Sequence, residues 1–241
     1  MEITKSNGHS TILRKSPQSD VREAEPNAYA MVNAMRSMGY DPYRAIMDII
    51  DNSIDANADD IRILVDHQDD SSTRNQSRAA PKFNLNSRII IVDNGNGMDK
   101  NTLLQATRFG SETSHDTRTD LGKFGMGLKT ATLSFGRKFT VLTRQTNQDL
   151  LKAIHDLDEI KRTNKFIVDY TAPKEGDVSY FNKAIGSKTA SGTIIIVEGL
   201  DKIGRQDAKG FAETLRGKTK LGRVYRYFLN SGKKITVNRT K

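Results

Sequence analysis

The chain has 241 residues, 36% of them hydrophobic and 28% charged, and no cysteine; this fits a folded domain and excludes disulfides and thiolate metal sites. The net charge of +9 and the pI near 9.6 favour polyanionic partners, nucleotides and nucleic acids among them, although a basic solvated surface gives the same balance. Apolar runs such as 89–92 and 193–197 are strand-sized and too short to span a bilayer, so an intracellular protein is expected, cytoplasmic in a prokaryote and nuclear in a eukaryote. In chain order, residues 1–26 are polar, lack a signal-peptide core and read as a flexible arm. A helix is predicted over 27–38. Asp41 as N-cap and Pro42 at the first helical position then open a second one, running to about 57. Residues 61–65 read as a strand and 68–82 as a polar loop. The apolar strand 88–92 ends at Asp93, Asn94, Gly95, Asn96 and Gly97, through which no regular element continues. A helix follows over 100–107, then a lid-like loop over 110–121. Gly122, Gly125 and Gly127 lead into a helix over 128–134. Strands are predicted at 138–143, 165–170 and 193–197, with a helical stretch near 150–161 between the first two. Residues 211–228 read as helix interrupted at Gly217 and Gly222, and 234–238 as a last strand. Without a regular βαβ alternation, this mixture predicts an α+β fold, one layer of helices on a mixed sheet.

Three constellations carry chemistry. On the helix after Asp41, Ile46, Ile49, Ile50 and Ile54 form an apolar face, while Asp48, Asp51, Asn52 and Asp55 form a stripe at i, i+3, i+4 and i+7. The like charges repel, and a nearby cation would relieve them; magnesium, which takes few protein ligands, suits one Asn52 amide oxygen plus phosphate and water oxygens. A solvated acidic face is the alternative. The carboxylate of Asp93, at the end of a buried strand, needs a donor, and an adenine amino group is one. Gly95 and Gly97 would let the backbone approach a flat ring, although a plain Asp-Asn-Gly turn gives the same residues. Finally, Gly122, Lys123, Phe124, Gly125, Met126, Gly127, Leu128 and Lys129 place glycines before a helix, where backbone N–H groups and the helix dipole face a phosphate. Their spacing is neither the dinucleotide fingerprint nor the Gly-Lys-Ser/Thr phosphate loop.

Taken in this order, the three resemble the N-box, G1 and G2 motifs of the GHKL ATPases, a superfamily that includes gyrase B, heat-shock chaperones, MutL, MORC proteins and histidine kinases. Asp48 to Ala56 is similar to the N-box, Asp93, Gly95 and Gly97 to the adenine-binding turn, and Gly122, Gly125 and Gly127 to the glycine box closing the lid. Gly192, Thr193, Ile194 and Ile195 resemble a late strand whose threonine supports the adenine aspartate through water. Arg108, Phe109, Gly110 and Ser111, Gly125 to Thr130, and the run from Leu221 to Phe228 are closest to the MORC-like branch.

The resemblance implies a Bergerat fold with a mixed or antiparallel sheet covered on one face by helices. It divides the chain into an arm (1–26), an ATP-binding domain (27–204) and the start of a transducer-like region (205–241). It also implies ATP and Mg²⁺ as ligands. Asn52 would hold the metal. Asp55, Ala56, Asp93, Gly95, Gly97, Met98 and Thr193 would line the nucleotide site, residues 122–129 would wrap the phosphates, and Asp48 would act as hydrolytic base. A glutamate is usual there, and an aspartate one methylene shorter holds the base about an ångström back, a displacement that can cost on the order of a hundredfold in rate. A chain ending soon after that transducer begins is expected to bind ATP and turn it over slowly, dimerising with ATP bound and clamping DNA or a protein client. A non-hydrolysing nucleotide switch and a histidine-kinase-type phosphotransferase are the rival expectations.

Overall fold

Asp41 adopts extended backbone and its carboxylate accepts from the Tyr43 amide, so with Pro42 at the first position the helix α2 (Pro42–Asp55) starts where its capping residues dictate. The computed structural model describes residues 26–37, 41–66, 83, 87–109, 127–203, 207–217 and 221–238. Residues 1–25 of the arm, the 68–82 and 110–121 loops, and Gly122, Lys123, Phe124, Gly125 and Met126 lie outside the described residues. A shorter helix, α1 (Ala28–Ser37), precedes α2; α3 (Lys100–Thr107), α4 (Gly127–Phe135), α5 (Leu157–Thr163), α6 (Glu175–Ile185), α7 (Ala208–Arg216), α8 (Leu221–Val224) and α9 (Arg226–Asn230) follow.

Six strands, β1 (Asp60–Asp66), β2 (Arg88–Asp93), β3 (Lys138–Arg144), β4 (Leu151–Asp156), β5 (Gly192–Glu198) and β6 (Lys234–Val237), form one sheet in the order β4-β3-β5-β2-β1-β6. Every neighbouring pair is antiparallel except β1 with β6, so the sheet is mixed. Alternation along the strands sorts the side chains. Ile61, Ile63, Ile89, Ile91, Phe139, Val141, Ile195 and Val197 point to the face covered by α1, α2, α4 and α7, where they join Val32, Ile46, Ile49, Ile50, Leu133 and Phe211 in the main core.

The opposite face is not bare. Ile90, Val92, Leu142 and Ile194 pack there against Phe181 of α6. Arg144 fixes that helix, with its guanidinium 4.8 Å above the Phe181 ring and donating to Asn182 Oδ1 at 2.9 Å and to the Ser187 and Ala190 carbonyls at 3.0 Å.

Two local expectations change. The stretch near 150–161, expected as helix, is the strand β4 up to Asp156 and a helix only from Leu157. Its apolar spacing fits a helix, but β3 offers an open edge, and pairing Phe139 with His155 and Val141 with Ala153 satisfies the backbone of both. Residues 165–170, expected as strand, form one bridge, Asp169 with Ile154.

Candidate functional site

The sheet register brings three polar side chains together at one end of the helix-covered face. Asp93 on β2 pairs with Thr193 on β5, which pairs with Thr143 on β3. All three lie on the parity that otherwise carries core isoleucine, valine and phenylalanine. Asp93 is 3% exposed, and two donors hold its carboxylate: the Ser53 hydroxyl of α2 at 3.0 Å and the Gly95 amide at 3.0 Å. Burial nevertheless dominates and pushes its pKa up to about 6. The Thr193 hydroxyl lies 3.0 Å from that of Thr143, and Thr143 also accepts from the Met98 amide at 2.9 Å.

The turn after Asp93 is shaped by contact with α2 and β3. Asn94 accepts from the amides of Asp59 and Asp60, both at 2.9 Å, and the Asn96 amide donates to the Ala56 carbonyl at 2.8 Å, so the turn is stitched to the end of α2. A Cβ on Gly95 would sit 2.7 Å from the Ala56 carbonyl oxygen, and one on Gly97, where φ is +68°, would sit 2.0 Å from that of Arg144. Both glycines are therefore required by close backbone approach.

A cavity of about 450 Å³ opens above this floor. Asn52, Ser53, Asp55 and Ala56 of α2 line one side, Asn96, Gly97 and Met98 another, and Gly127 and Leu128 of α4 a third, with Asp93, Thr193 and Ile195 beneath. Its walls are largely apolar, from Ile49, Met98, Ala106, Leu128 and Ile195, with one buried carboxylate as the polar feature of the base. Of the sequence-predicted site residues, Asn52, Asp55, Ala56, Asp93, Gly97, Met98, Gly127, Leu128 and Thr193 line this one cavity, and Gly95 holds the carboxylate at its base.

Two predicted residues stand apart from that lining. Asp48 is one turn before Asn52 on the same stripe of α2. Lys129 points away: its side chain is fully buried and its ammonium donates to the Arg108 carbonyl at the end of α3. Burial lowers its pKa to about 8. Beside it, His155, held near pKa 4 by burial, places Nε2 2.8 Å from the Thr107 carbonyl and stacks on Phe139. Ser53 and Thr143 are site residues that sequence reasoning missed. Ser53 lay inside the N-box-like motif; Thr143 had no signal of its own, because threonine is ordinary in a strand.

Among the described residues no group of three or more His, Asp or Glu side chains gathers to hold a metal, and no helix is long and apolar enough to cross a membrane. A family model described as histidine kinase-, DNA gyrase B- and HSP90-like ATPase matches residues 40–193. The mouse ATPase MORC2B is 27% identical over 106 residues, covering 44% of this chain and 9% of the mouse protein. The matched segment is thus a small part of that relative.

Proposed function

The chain belongs to the histidine kinase-, DNA gyrase B- and HSP90-like ATPase family, and from that premise we propose that it binds ATP with Mg²⁺ in the cavity beneath α2 and hydrolyses it slowly. The observation that carries this reading is the buried Asp93 carboxylate at the base of a largely apolar cavity. It is held by the Ser53 hydroxyl and the Gly95 amide and retains acceptor capacity for the exocyclic amino group of adenine. Gly97 and Met98 would flank the ring, and the phosphates would extend toward the start of α4 at Gly127. The residues fit a magnesium ion in the sparing way that ion accepts, with the exposed Asn52 amide oxygen as one ligand and phosphate oxygens and water as the rest. Bound there, the ion would neutralise phosphate charge. Asp48 is the proposed base, and dimerisation with ATP bound, in the manner of the MORC-like branch, is the proposed output.

The test is nucleotide affinity, by calorimetry, in three proteins. Wild type should bind ATP, and bind it more tightly with magnesium than without. Asn52→Ala should lose the magnesium-dependent part of that affinity. Unchanged affinity in Asp93→Ala would remove the site assignment. Because Asp48 stands outside the cavity lining, a non-hydrolysing switch is the second reading: binding without measurable ATP turnover in wild type selects it, whereas equal turnover in wild type and Asp48→Asn, with binding intact, removes Asp48 from the mechanism.

We also propose a nucleic-acid client. Residues 207–241 hold ten of the 38 Lys and Arg but two of the 29 acids, and the exposed Arg223, Arg226 and Tyr227 share the α8–α9 surface. Duplex affinity falling steeply between 50 and 200 mM salt, roughly tenfold or more, is the expected signature; salt-independent or absent binding rejects the client.

A further inference from the structure

The acidic stripe of α2 is not all directed at the nucleotide cavity. Asp51, one residue before Asn52, is claimed by the far end of the chain. Tyr225, at the junction of α8 and α9, is buried to 5% while its neighbours Arg223, Val224, Arg226 and Tyr227 are exposed. Its hydroxyl lies 2.8 Å from Asp51 Oδ1 and 2.9 Å from the Met47 carbonyl oxygen. A phenol has one proton, so both acceptors share one donor. They sit one turn apart on α2, Met47 immediately before Asp48 and Asp51 immediately before Asn52. Soon after α9 the chain enters β6, which pairs in parallel with β1. The α8–α9 segment is therefore fastened at two places: to the sheet edge through β6, and to α2 through Tyr225.

We propose that Tyr225 is a positioning residue for α2, setting where that helix presents Asp48 and Asn52 and so transmitting the state of α8–α9 to the metal end of the nucleotide site. The proposal rests on the MgATP reading of the cavity. It acts on one end of the site only. The adenine end is held separately by the Ser53–Asp93 bond and the Asn96–Ala56 bond, at the C-terminal end of α2. A hydroxyl that merely satisfied a half-buried carboxylate would, on removal, loosen both ends alike.

The test uses the full chain and Tyr225→Phe, which keeps the ring. Deuterium exchange without nucleotide should rise in α2 around residues 47–52 with little change in β2; unchanged exchange there overturns the link whether or not ATP binds. Adenosine affinity should stay within about twofold of wild type. The magnesium-dependent gain of ATP over adenosine should fall roughly five- to tenfold, the size expected for losing one ordinary hydrogen bond. Equal losses for adenosine and MgATP would assign Tyr225 a purely structural role and overturn the proposal. In an Asp51→Ala background the same Tyr225→Phe change should cost much less, because its partner is already gone; full additivity overturns the pairing. A wild-type chain without adenosine affinity would instead reject the cavity reading, leaving the exchange result to judge the link.

Discussion

Asp93 combines burial with two donated hydrogen bonds, and its raised pKa, about 6, makes the site's chemistry depend on pH. An adenine amino group bonds an ionised carboxylate more strongly than a protonated one, so ATP affinity is expected to fall as pH drops below about 6, by at most tenfold per pH unit. Calorimetry from pH 5 to 8 measures this, and a flat profile would separate Asp93 from the ligand. Asp93→Asn should abolish the profile and weaken ATP by roughly a hundredfold, since an amide group must turn an N–H toward at least one existing donor. Thr143→Val probes the support behind it. The Met98 amide and the Thr193 hydroxyl lose their partner, which should cost about 1–3 kcal/mol of stability in chemical denaturation. The two residues also show what the sequence revealed at this scale. A carboxylate closing an apolar strand ahead of glycines announces a special environment; Thr143 acquires its role only through the register of β3 on β5, which no local pattern encodes.

At the scale of elements, the glycines separate into two kinds. Gly97 is bound by geometry: positive φ and a Cβ position 2.0 Å from the Arg144 carbonyl oxygen leave no room for a side chain. Gly97→Ala should therefore shift β2 against β3 and destabilise the fold by about 2 kcal/mol or more. Gly127, at the start of α4, takes helical backbone, and a Cβ there would meet nothing within 4 Å. Gly127→Ala should hold or raise the melting temperature, because alanine is favoured over glycine in helices by roughly 0.5–1 kcal/mol. If Gly127 lies against the phosphates, the same variant binds ATP more weakly; thermal melts and affinity on both proteins distinguish the cases. Elements whose caps or patterns are local were readable in advance, as α2 with Asp41 and Pro42, and α3 between Asp99 and Arg108, demonstrate. The strand β4 was not, because Leu151, Ile154 and Leu157 repeat at helical spacing and only the open edge of β3 decides against a helix.

Over the whole molecule, two buried titratable groups on the helix-covered face act on the acid limb of stability with opposite signs, while the lowered pKa of Lys129 acts only at higher pH. Asp93 has a folded pKa of about 6 against the ordinary 3.8, so between those values the folded chain keeps a proton that the unfolded chain releases. Stability contributed by Asp93 thus falls as pH rises through that window. His155 has a folded pKa of about 4 against 6.5, so the unfolded chain holds the extra proton there and stability rises with pH. The displacements are similar, each worth on the order of 3 kcal/mol, and the windows overlap between about pH 4 and 6. These two slopes should nearly cancel in the wild-type chain. Asp93→Asn should then show stability rising steeply over about pH 4–6. His155→Gln, which keeps a donor for the Thr107 carbonyl, should show it falling. Urea unfolding at half-unit pH intervals on the three proteins decides it: slopes of the same sign in both variants would mean that other groups govern the acid limb, and a pair of opposite slopes would show that the carboxylate closing β2 and the histidine of β4 balance each other across one sheet.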